Sequence, residues 1–296
     1  MSLIIYHNMM AANAARNLGS SYQGLARSVQ RLSSGLRINS SADDAAGLAI
    51  REIMRADIAA LNQGVRNAND AISLLQTADG ALGIIDEKLI RMKELAEQAA
   101  TGTYNSDQRL MIDSEYQAMA SEITRIANAT DFNGVALLNG NLSSSSFNGA
   151  GLTASGKLKI HFGTANDSAE DYYYVAIGEA TASALGIGNS STTGGDGYAI
   201  STQEAAQKAL DGINKAIISK DKIRASLGAT QNRLENTISN LQIQAENLQS
   251  AESRISDVDV ASEMTNFVRN QVLTQAAIAM LSQANSLPQM ALRLMQ

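Results

Sequence analysis

Few side chains in this sequence have the types and spacing that catalysis or metal binding needs. The two histidines, His7 and His161, lie far apart in the chain, and the 296 residues include no cysteine. Two isolated histidines without a thiolate cannot form a His/Cys metal site, and no thiol nucleophile is available. The adjacent carboxylates Asp43 and Asp44 have the chemistry of a metal-ligand or acid–base pair. We interpret them instead as favourable charges at the start of a long helix, and we predict no catalytic, metal-binding or cofactor-binding residue.

The composition indicates a helical, structural protein. Apolar residues make up 45% of the chain, aromatic residues only 4%, and a single proline occurs in 296 residues. Because proline inside a helix removes a hydrogen bond and usually breaks the helix, its scarcity is typical of long uninterrupted helices. The single proline, Pro288, is expected to interrupt or end the last helix.

The net charge of −6 is unevenly distributed along the chain. Residues 1–42 contain four arginines and no acid, and residues 264–296 contain two arginines and no acid, so the middle carries −12. Basic ends are one feature of nucleic-acid binding, but these arginines are sparse, and we predict no nucleic-acid partner. We expect the acid-free ends to lie inside an assembly and the acidic middle to face outward.

Apolar residues at alternating steps of three and four predict long helices that pack along seams. The longest helix is expected over about residues 44–100, with a change of phase near Leu75 where two steps of three follow each other. A second helix is expected over about 105–129, capped by Ser106, and a third over about 202–255. The seam of the longest helix consists of Ile58, Leu61, Val65, Ala68, Ile72, Leu75, Ala78, Leu82, Ile85, Leu89, Met92 and Ala96.

Each end of the chain has its own apolar stripe at heptad spacing. Because an isolated amphipathic helix gains little stability from propensity alone, we expect the two stripes to pair, to be disordered in isolated subunits and to be helical in an assembly. Neither stripe has the Lys/Arg-rich polar face of a membrane-surface helix, so we predict partner helices and no membrane. The stripes are Leu18, Tyr22, Leu25, Val29, Leu32 and Leu36 at one end, and Val260, Met264, Phe267, Ile278 and Leu281 at the other.

The sequence between residues 131 and 200 predicts β-hairpins. Phe132-Asn133-Gly134 contains the Asn-Gly signal of a tight turn, and short apolar runs at 135–138, 158–162 and 172–177 have the length of strands. The whole pattern predicts a mainly α fold, a long-helix coiled-coil rod or bundle with a small β-hairpin region, whose termini pair as helices on polymerisation. The predicted divisions are a terminal helix at 1–43, long helices with their turns at 44–140, a short hairpin region at 141–200, a long helix at 201–255 and a second terminal helix at 256–296.

Two terminal segments resemble bacterial flagellin, and the joint pattern at both ends is highly specific. The first runs LSSGLRINS over residues 32–40 and continues ADDAAGLAI over 42–50; the second, residues 271–294, contains the pieces AML, QAN and PQ. A third segment, FNGV followed by LLNG within 132–140, is similar to the turn after the second inner-tube helix of that family. The resemblance extends over the first 140 and about the last 97 residues.

The resemblance implies a structural subunit that is exported unfolded by the flagellar type III apparatus, without a cleaved signal peptide, and polymerises outside the cell into the filament used for swimming. It implies as partners further copies of the chain, the flagellar cap and hook-junction proteins, and an export chaperone. A hook–filament junction protein of the same system is the alternative. The resemblance also implies a patch for a vertebrate Toll-like receptor at Leu89, Arg91, Leu95 and Glu115. The His-Glu-x-x-His motif of peptidase-bearing flagellins does not occur, and we expect no enzyme activity.

Overall fold

The computed structural model describes residues 8–143, 156–168, 170–187 and 199–294, without the side chains of 287–289 and 291–294. His7 therefore lies outside the described residues. The chain divides into two compact units, one formed by the residues up to 58 and from 246 onward, the other by residues 59–245. The elements in chain order are α1 (Met9–Ser34), α2 (Ala45–Ala100), α3 (Ser106–Ala129), β1 (Asp131–Phe132), β2 (Val135–Ala136), β3 (Leu158–His161), β4 (Tyr172–Val175), α4 (Gln203–Ser256) and α5 (Val260–Leu294).

The first unit contains both terminal helices, and α1 packs against α5 within one chain. The prediction that these helices pair is confirmed, whereas their disorder in isolated subunits stays a prediction. α1 ends at Gly35, whose φ of 73° is the left-handed conformation that glycine adopts without strain. α2 begins where Asp44 Oδ1 accepts a hydrogen bond of 2.9 Å from the backbone N–H of Gly47, so Asp44 acts at the start of this helix as expected.

The prediction for Pro288 was wrong, because α5 continues through it to Leu294. Proline removes one backbone donor but leaves the φ angle of a helix intact. Helical hydrogen bonds on either side of the position hold the remaining turns together, and the cost of the missing bond depends on what else pairs with the freed carbonyl.

The second unit contains most of α2, and its buried face differs from the predicted seam in one respect. Buried residues follow an unbroken alternation of three and four from Leu61 to Ala99, so the predicted change of phase near Leu75 was wrong. The reason is residue size: the buried frame uses Gly64 and Ala71, whereas the prediction chose their larger neighbours. The buried positions on this alternation are Leu61, Gly64, Ala68, Ala71, Leu75, Ala78, Leu82, Ile85, Leu89, Met92, Ala96 and Ala99, and Leu74, Ala81 and Leu95 beside it are also buried.

The seam of α4 continues further upstream than the sequence pattern indicated. Leu227, Leu234 and Leu241 of this frame are buried, which agrees with the heptad spacing of the sequence, and the same frame extends back through Ile213 and Lys220. Lys220 therefore holds a cation at an apolar core position. Its ammonium contacts Asp86 and Asp221, as described below.

α3 and the hairpins complete the second unit. The predicted cap Ser106 was wrong, because Asn105 caps α3 and exchanges hydrogen bonds with Gln108 in a capping box. Asn133 and Gly134 both have positive φ angles and connect β1 to β2, which confirms the predicted tight turn. β3 pairs antiparallel with β4. With these hairpins and the long helices, the predicted mainly α fold is confirmed.

Candidate assembly surface

The contact between α1 and α5 uses mostly small and polar residues. The two helices run antiparallel, because the beginning of α1 contacts the late part of α5 and the end of α1 contacts its start. On each helix the less exposed positions alternate by three and four, as in paired helices. The positions are Ala11, Ala14, Leu18, Ser21, Leu25, Ser28 and Leu32 on α1, and Glu263, Phe267, Asn270, Thr274, Ala277, Leu281 and Ala284 on α5.

Only part of each predicted terminal stripe lies in this contact. Leu18, Leu25, Leu32 and Leu36 are half-buried, as are Phe267 and Leu281. The remaining predicted residues occupy the neighbouring flank of each helix and are exposed by 44–58% of their surface. The exposed group comprises Tyr22, Val29, Val260, Met264 and Ile278. Their packing against other subunits stays a prediction.

Polar and close contacts mark fixed points along the pair. Arg31 reaches Glu263 at 3.6 Å between Nη1 and Oε2, and seven residues earlier Gly24 lies against Asn270, where an added Cβ would be 2.9 Å from Nδ2. Asn8 donates from Nδ2 to the carbonyl of Ala284 at 2.7 Å. These contacts, which sequence reasoning missed, set α1 in one longitudinal position against α5.

The two connections between helices in the first unit are bonded to each other. The Arg37 N–H donates to the carbonyl of Ser256 at 2.7 Å, and the Val258 N–H donates to the carbonyl of Gly35 at 3.0 Å. The Arg37 guanidinium also donates through Nε and Nη2 to the carbonyl of Ile255, at 3.1 and 2.7 Å. The carbonyls of Ile255 and Ser256 belong to the last turn of α4, where carbonyls have no helical N–H to accept from. Arg37 thus acts as a cap for α4 from the other connection.

Asp43 stabilises the turn before α2 and does not act at the helix start. Its Oδ2 accepts from the backbone N–H groups of Asn39 and Ser40, and Oδ1 lies 3.9 Å from Arg31. Burial alone would raise the pKa of Asp43, but these hydrogen bonds and the nearby guanidinium lower it below its ordinary value. The two adjacent acids therefore have separate roles, Asp43 in the turn and Asp44 at the start of α2.

An ion cluster around one buried ammonium lies where α2 and α4 meet in the second unit. Lys220 Nζ is 2.5 Å from Asp86 Oδ1 and 2.8 Å from Asp221 Oδ1, with 2% of its side chain exposed. Burial alone would lower the pKa of Lys220, but the hydrogen bonds and charges of both carboxylates raise it above its ordinary value. One turn further on, Arg224 pairs with Asp79 at 2.7 Å. The spacing of Lys220, exactly one heptad from Ile213 and from Leu227, was the signal that would have placed it in the core.

The predicted receptor patch separates into an exposed and a buried half. Arg91 donates to Glu115 Oε1 through Nε and Nη2, at 3.0 and 2.8 Å, and to Glu94 through Nη1 at 3.0 Å. All three side chains are exposed. Leu89 and Leu95 are buried in the α2 seam, with 0% and 2% exposure. Only Arg91 and Glu115 are accessible to a partner of this chain, and the receptor role stays a prediction.

In the part of the chain that the structure describes, three or more metal-ligating side chains nowhere come together. Within the same residues, none of the helices combines the length and the apolar character that crossing a bilayer requires.

Comparison with known proteins identifies the family. Residues 5–143 match the bacterial flagellin N-terminal helical region, and residues 210–295 match the bacterial flagellin C-terminal helical region. The chain belongs to the bacterial flagellin family. It is 40% identical to flagellin FlaB2 of Treponema pallidum over 99% of this chain and 100% of that protein. The identity is also 40%, with the same coverage of both chains, to a 33 kDa flagellar filament core protein of Treponema phagedenis and to a flagellin of Halalkalibacterium halodurans.

As a flagellin, this chain is a structural subunit of the extracellular flagellar filament. Flagellins form a structural family and not an enzyme family, so the prediction of no enzyme activity is confirmed. These similarities support a filament subunit and give no support to the hook–filament junction alternative. The functional surface is therefore an assembly surface, and α1 and α5 are its candidates.

Proposed function

We propose that this flagellin polymerises through its terminal helices, and that the exposed apolar side chains of α1 and α5 contact neighbouring subunits. The observation that carries the proposal is the composition of α5. Its large apolar residues also occupy the sides of the helix that α1 does not cover. A helix that is apolar on nearly all sides is stable when it is buried, and one chain does not bury this one. The exposed residues of α5 are Val260, Met264, Val268, Val272, Leu273, Ile278, Met280 and Met290.

The charge distribution supports the same surface. Residues 264–296 contain no acid and two arginines, so burying this segment between subunits desolvates no carboxylate. The α1 helix adds further exposed apolar side chains, including Met9, Met10, Tyr22 and Val29. Burial of such side chains gives roughly 25 cal/mol per Å² of apolar surface removed from water. Contacts between non-equivalent surfaces of identical subunits generate an open helical fibre unless the rotation closes.

A charge at the centre of this surface tests the proposal. Ile278→Glu replaces a side chain that is 49% exposed in the single chain, so the subunit should remain folded. A carboxylate buried without a partner costs several kcal/mol, so filaments should not grow from seeds. Met111→Glu is the matched control, since Met111 is 74% exposed on α3 in the other unit. Electron microscopy and sedimentation should find filaments from the unaltered chain and the control only.

Two results would contradict this assignment. Filaments from Ile278→Glu that grow at the unaltered rate would remove α5 from the contacts between subunits. Loss of filaments in both variants, with circular dichroism showing folded subunits, would indicate that the second unit carries as much of the assembly surface as the terminal helices.

The other partners of the proposal rest on family membership. We propose export in an unfolded state through the flagellar type III apparatus, without cleavage of a signal peptide, an export chaperone that holds the chain before transit, and contacts with the cap and hook-junction proteins at the ends of the filament. The exposed apolar residues of α5 support a chaperone, because a helix of this composition requires cover before assembly.

The proposal also includes a vertebrate Toll-like receptor as a partner. Arg91 and Glu115 support this proposal, because their side chains are exposed and hold each other in one geometry through two hydrogen bonds. Leu89 and Leu95 contribute only by packing beneath them, where they keep α2 in place.

A further inference from the structure

The single proline leaves one buried carbonyl of α5 without its helical donor. In an α-helix the N–H of each residue donates to the carbonyl four residues earlier, and proline has no N–H. Pro288 lies inside α5, so the carbonyl of Ala284 lacks the N–H that would donate to it from position 288. Ala284 is buried against α1, with 7% of its surface exposed. A buried acceptor without a partner is destabilising.

The side chain of Asn8 supplies the missing donor. Its Nδ2 donates to the carbonyl of Ala284 at 2.7 Å, across a sequence separation of 276 residues. Its Oδ1 accepts from the N–H of Ala11 at 3.0 Å and caps α1. The side-chain amide of Asn8 thus caps α1 through its oxygen and bonds to α5 through its nitrogen. Other carbonyls within the α5 helix have a backbone N–H available four residues later, so the carbonyl freed by proline is distinguished from its neighbours.

Half of the positions in the contact between the helices are alanine, serine or threonine, and such a repeat offers similar packing after a shift by one heptad. The polar contacts therefore fix the longitudinal position, with Arg31 and Glu263 near the end of α1 and Asn8 and Ala284 at its beginning. A polar group at a helix interface fixes register because every other register leaves it unpaired. We propose that Asn8 is a positioning residue that, together with the Arg31–Glu263 ion pair, sets the register of α1 against α5, by recognising the carbonyl of Ala284 that Pro288 leaves free.

The inference rests on the proposed function in one respect, because the register of this pair determines which apolar side chains face a neighbouring subunit. A wrong register would displace the exposed residues of α1, such as Tyr22 and Val29, relative to those of α5. Asn8 would thereby control the shape of the assembly surface without contacting another subunit itself.

A double-mutant cycle separates the donor from the cap. Asn8→Asp keeps the capping oxygen and removes the donor, whereas Pro288→Ala restores a backbone N–H at position 288 that can bond the carbonyl of Ala284. Asn17→Asp, at an exposed position of α1, is the control for added charge. Hydrogen exchange of peptides covering residues 274–287 is measured by mass spectrometry on filaments and on the soluble chain, together with the rate of seeded growth.

Loss of the donor should accelerate exchange of these peptides about fivefold to tenfold, the effect of one hydrogen bond, and should slow filament growth. In the Pro288→Ala background the same substitution should change exchange less than about twofold. Asn17→Asp should leave exchange unchanged. Equal effects of Asn8→Asp in both backgrounds, or no effect in either, would overturn the role of Asn8. Failure of the unaltered chain to form filaments would instead overturn the proposed function, because exchange in the soluble chain still reports on the contact.

Discussion

Gly64 is the position at which α2 approaches the β3–β4 hairpin most closely. A Cβ atom added there would lie 2.0 Å from the carbonyl oxygen of Phe162. Ordinary van der Waals contact begins at 3.4 Å, so the two backbones would have to separate by about 1.4 Å. The obstacle is backbone and not a flexible side chain. We therefore predict that Gly64→Ala displaces the hairpin from α2.

Two losses and one gain determine the expected change in the free energy of unfolding. Overpacking of a tight site costs about 1–3 kcal/mol, and displacement also weakens the hydrogen bond of 2.8 Å from Asn67 Nδ2 to the carbonyl of His161, which is worth about 1 kcal/mol. The higher helix propensity of alanine than of glycine offsets about 1 kcal/mol of this loss. The net loss should be about 1–3 kcal/mol, or a melting temperature lower by about 3–10 °C for a unit of this size.

Gly80→Ala is the matched control, because Gly80 lies in the same helix and an added Cβ there has nothing within 4 Å. This variant should gain up to about 1 kcal/mol from propensity alone. Thermal unfolding followed by circular dichroism measures both variants, and limited proteolysis of the hairpin reports its displacement. If Gly64→Ala melts at or above the temperature of Gly80→Ala, the close approach does not exist in solution and the reasoning fails.

Two further predictions concern charged groups of the second unit. Asp86→Asn leaves the buried Lys220 ammonium with one carboxylate fewer and should cost about 2–4 kcal/mol of unfolding free energy. Lys220→Met removes the buried charge and leaves the carboxylates of Asp86 and Asp221, which are 29% and 60% exposed and therefore hydrated, so it should cost about 1 kcal/mol or less. Chemical denaturation measures both, and a larger loss for Lys220→Met would refute the ranking. Arg91→Ala should weaken Toll-like receptor signalling in a reporter cell line, with Arg125→Ala, another exposed arginine in an ion pair, as the control. Unchanged signalling with Arg91→Ala would remove this surface from the receptor proposal.

The long helices were predictable because periodicity is a property of many residues at once. The third helix was expected over about 202–255 and is α4, Gln203–Ser256. The second was expected over about 105–129 and is α3, Ser106–Ala129. Such patterns tolerate individual exceptions, whereas a cap depends on one side chain. Asn105 and Ser106 are both good capping residues, and only the reciprocal bond from Gln108 decides between them.

The polar contacts of the first unit, which contains α1 and α5, were not predictable from a single sequence. Asn8, Arg31 and Arg37 each bond to groups more than 200 residues away in the chain, and periodicity reports only on neighbours along one helix. Sequence alone does show that Pro288 frees one carbonyl, but not which side chain occupies it. The position of Lys220 was accessible in principle, because it lies on the heptad frame of Ile213 and Leu227.

The differences between the predicted stripes and the residues buried within one chain have a common physical cause. In α2 the prediction preferred Val65 and Ile72 to Gly64 and Ala71, and in α1 it preferred Tyr22 and Val29 to Ser21 and Ser28. In both helices the residues that lie closest to a partner are small, since small side chains allow backbones to approach. A heptad pattern chosen from the largest apolar residues therefore combines two surfaces of the helix. One packs against another helix of the same chain, and the other lies beside it and is exposed.

The proposed assembly gives a function to the exposed surface beside the helix contact. In a protein that works as a monomer, large apolar residues beside a helix contact would be an unexplained cost in solubility. In a filament subunit they are the residues that remain for the next copy once the chain has packed α1 against α5. Under the proposed function, the half of the stripe that one chain leaves exposed, including Val260, Met264 and Ile278, is the half that assembly buries. Exposure within the subunit and burial within the filament would then be two consequences of one heptad pattern.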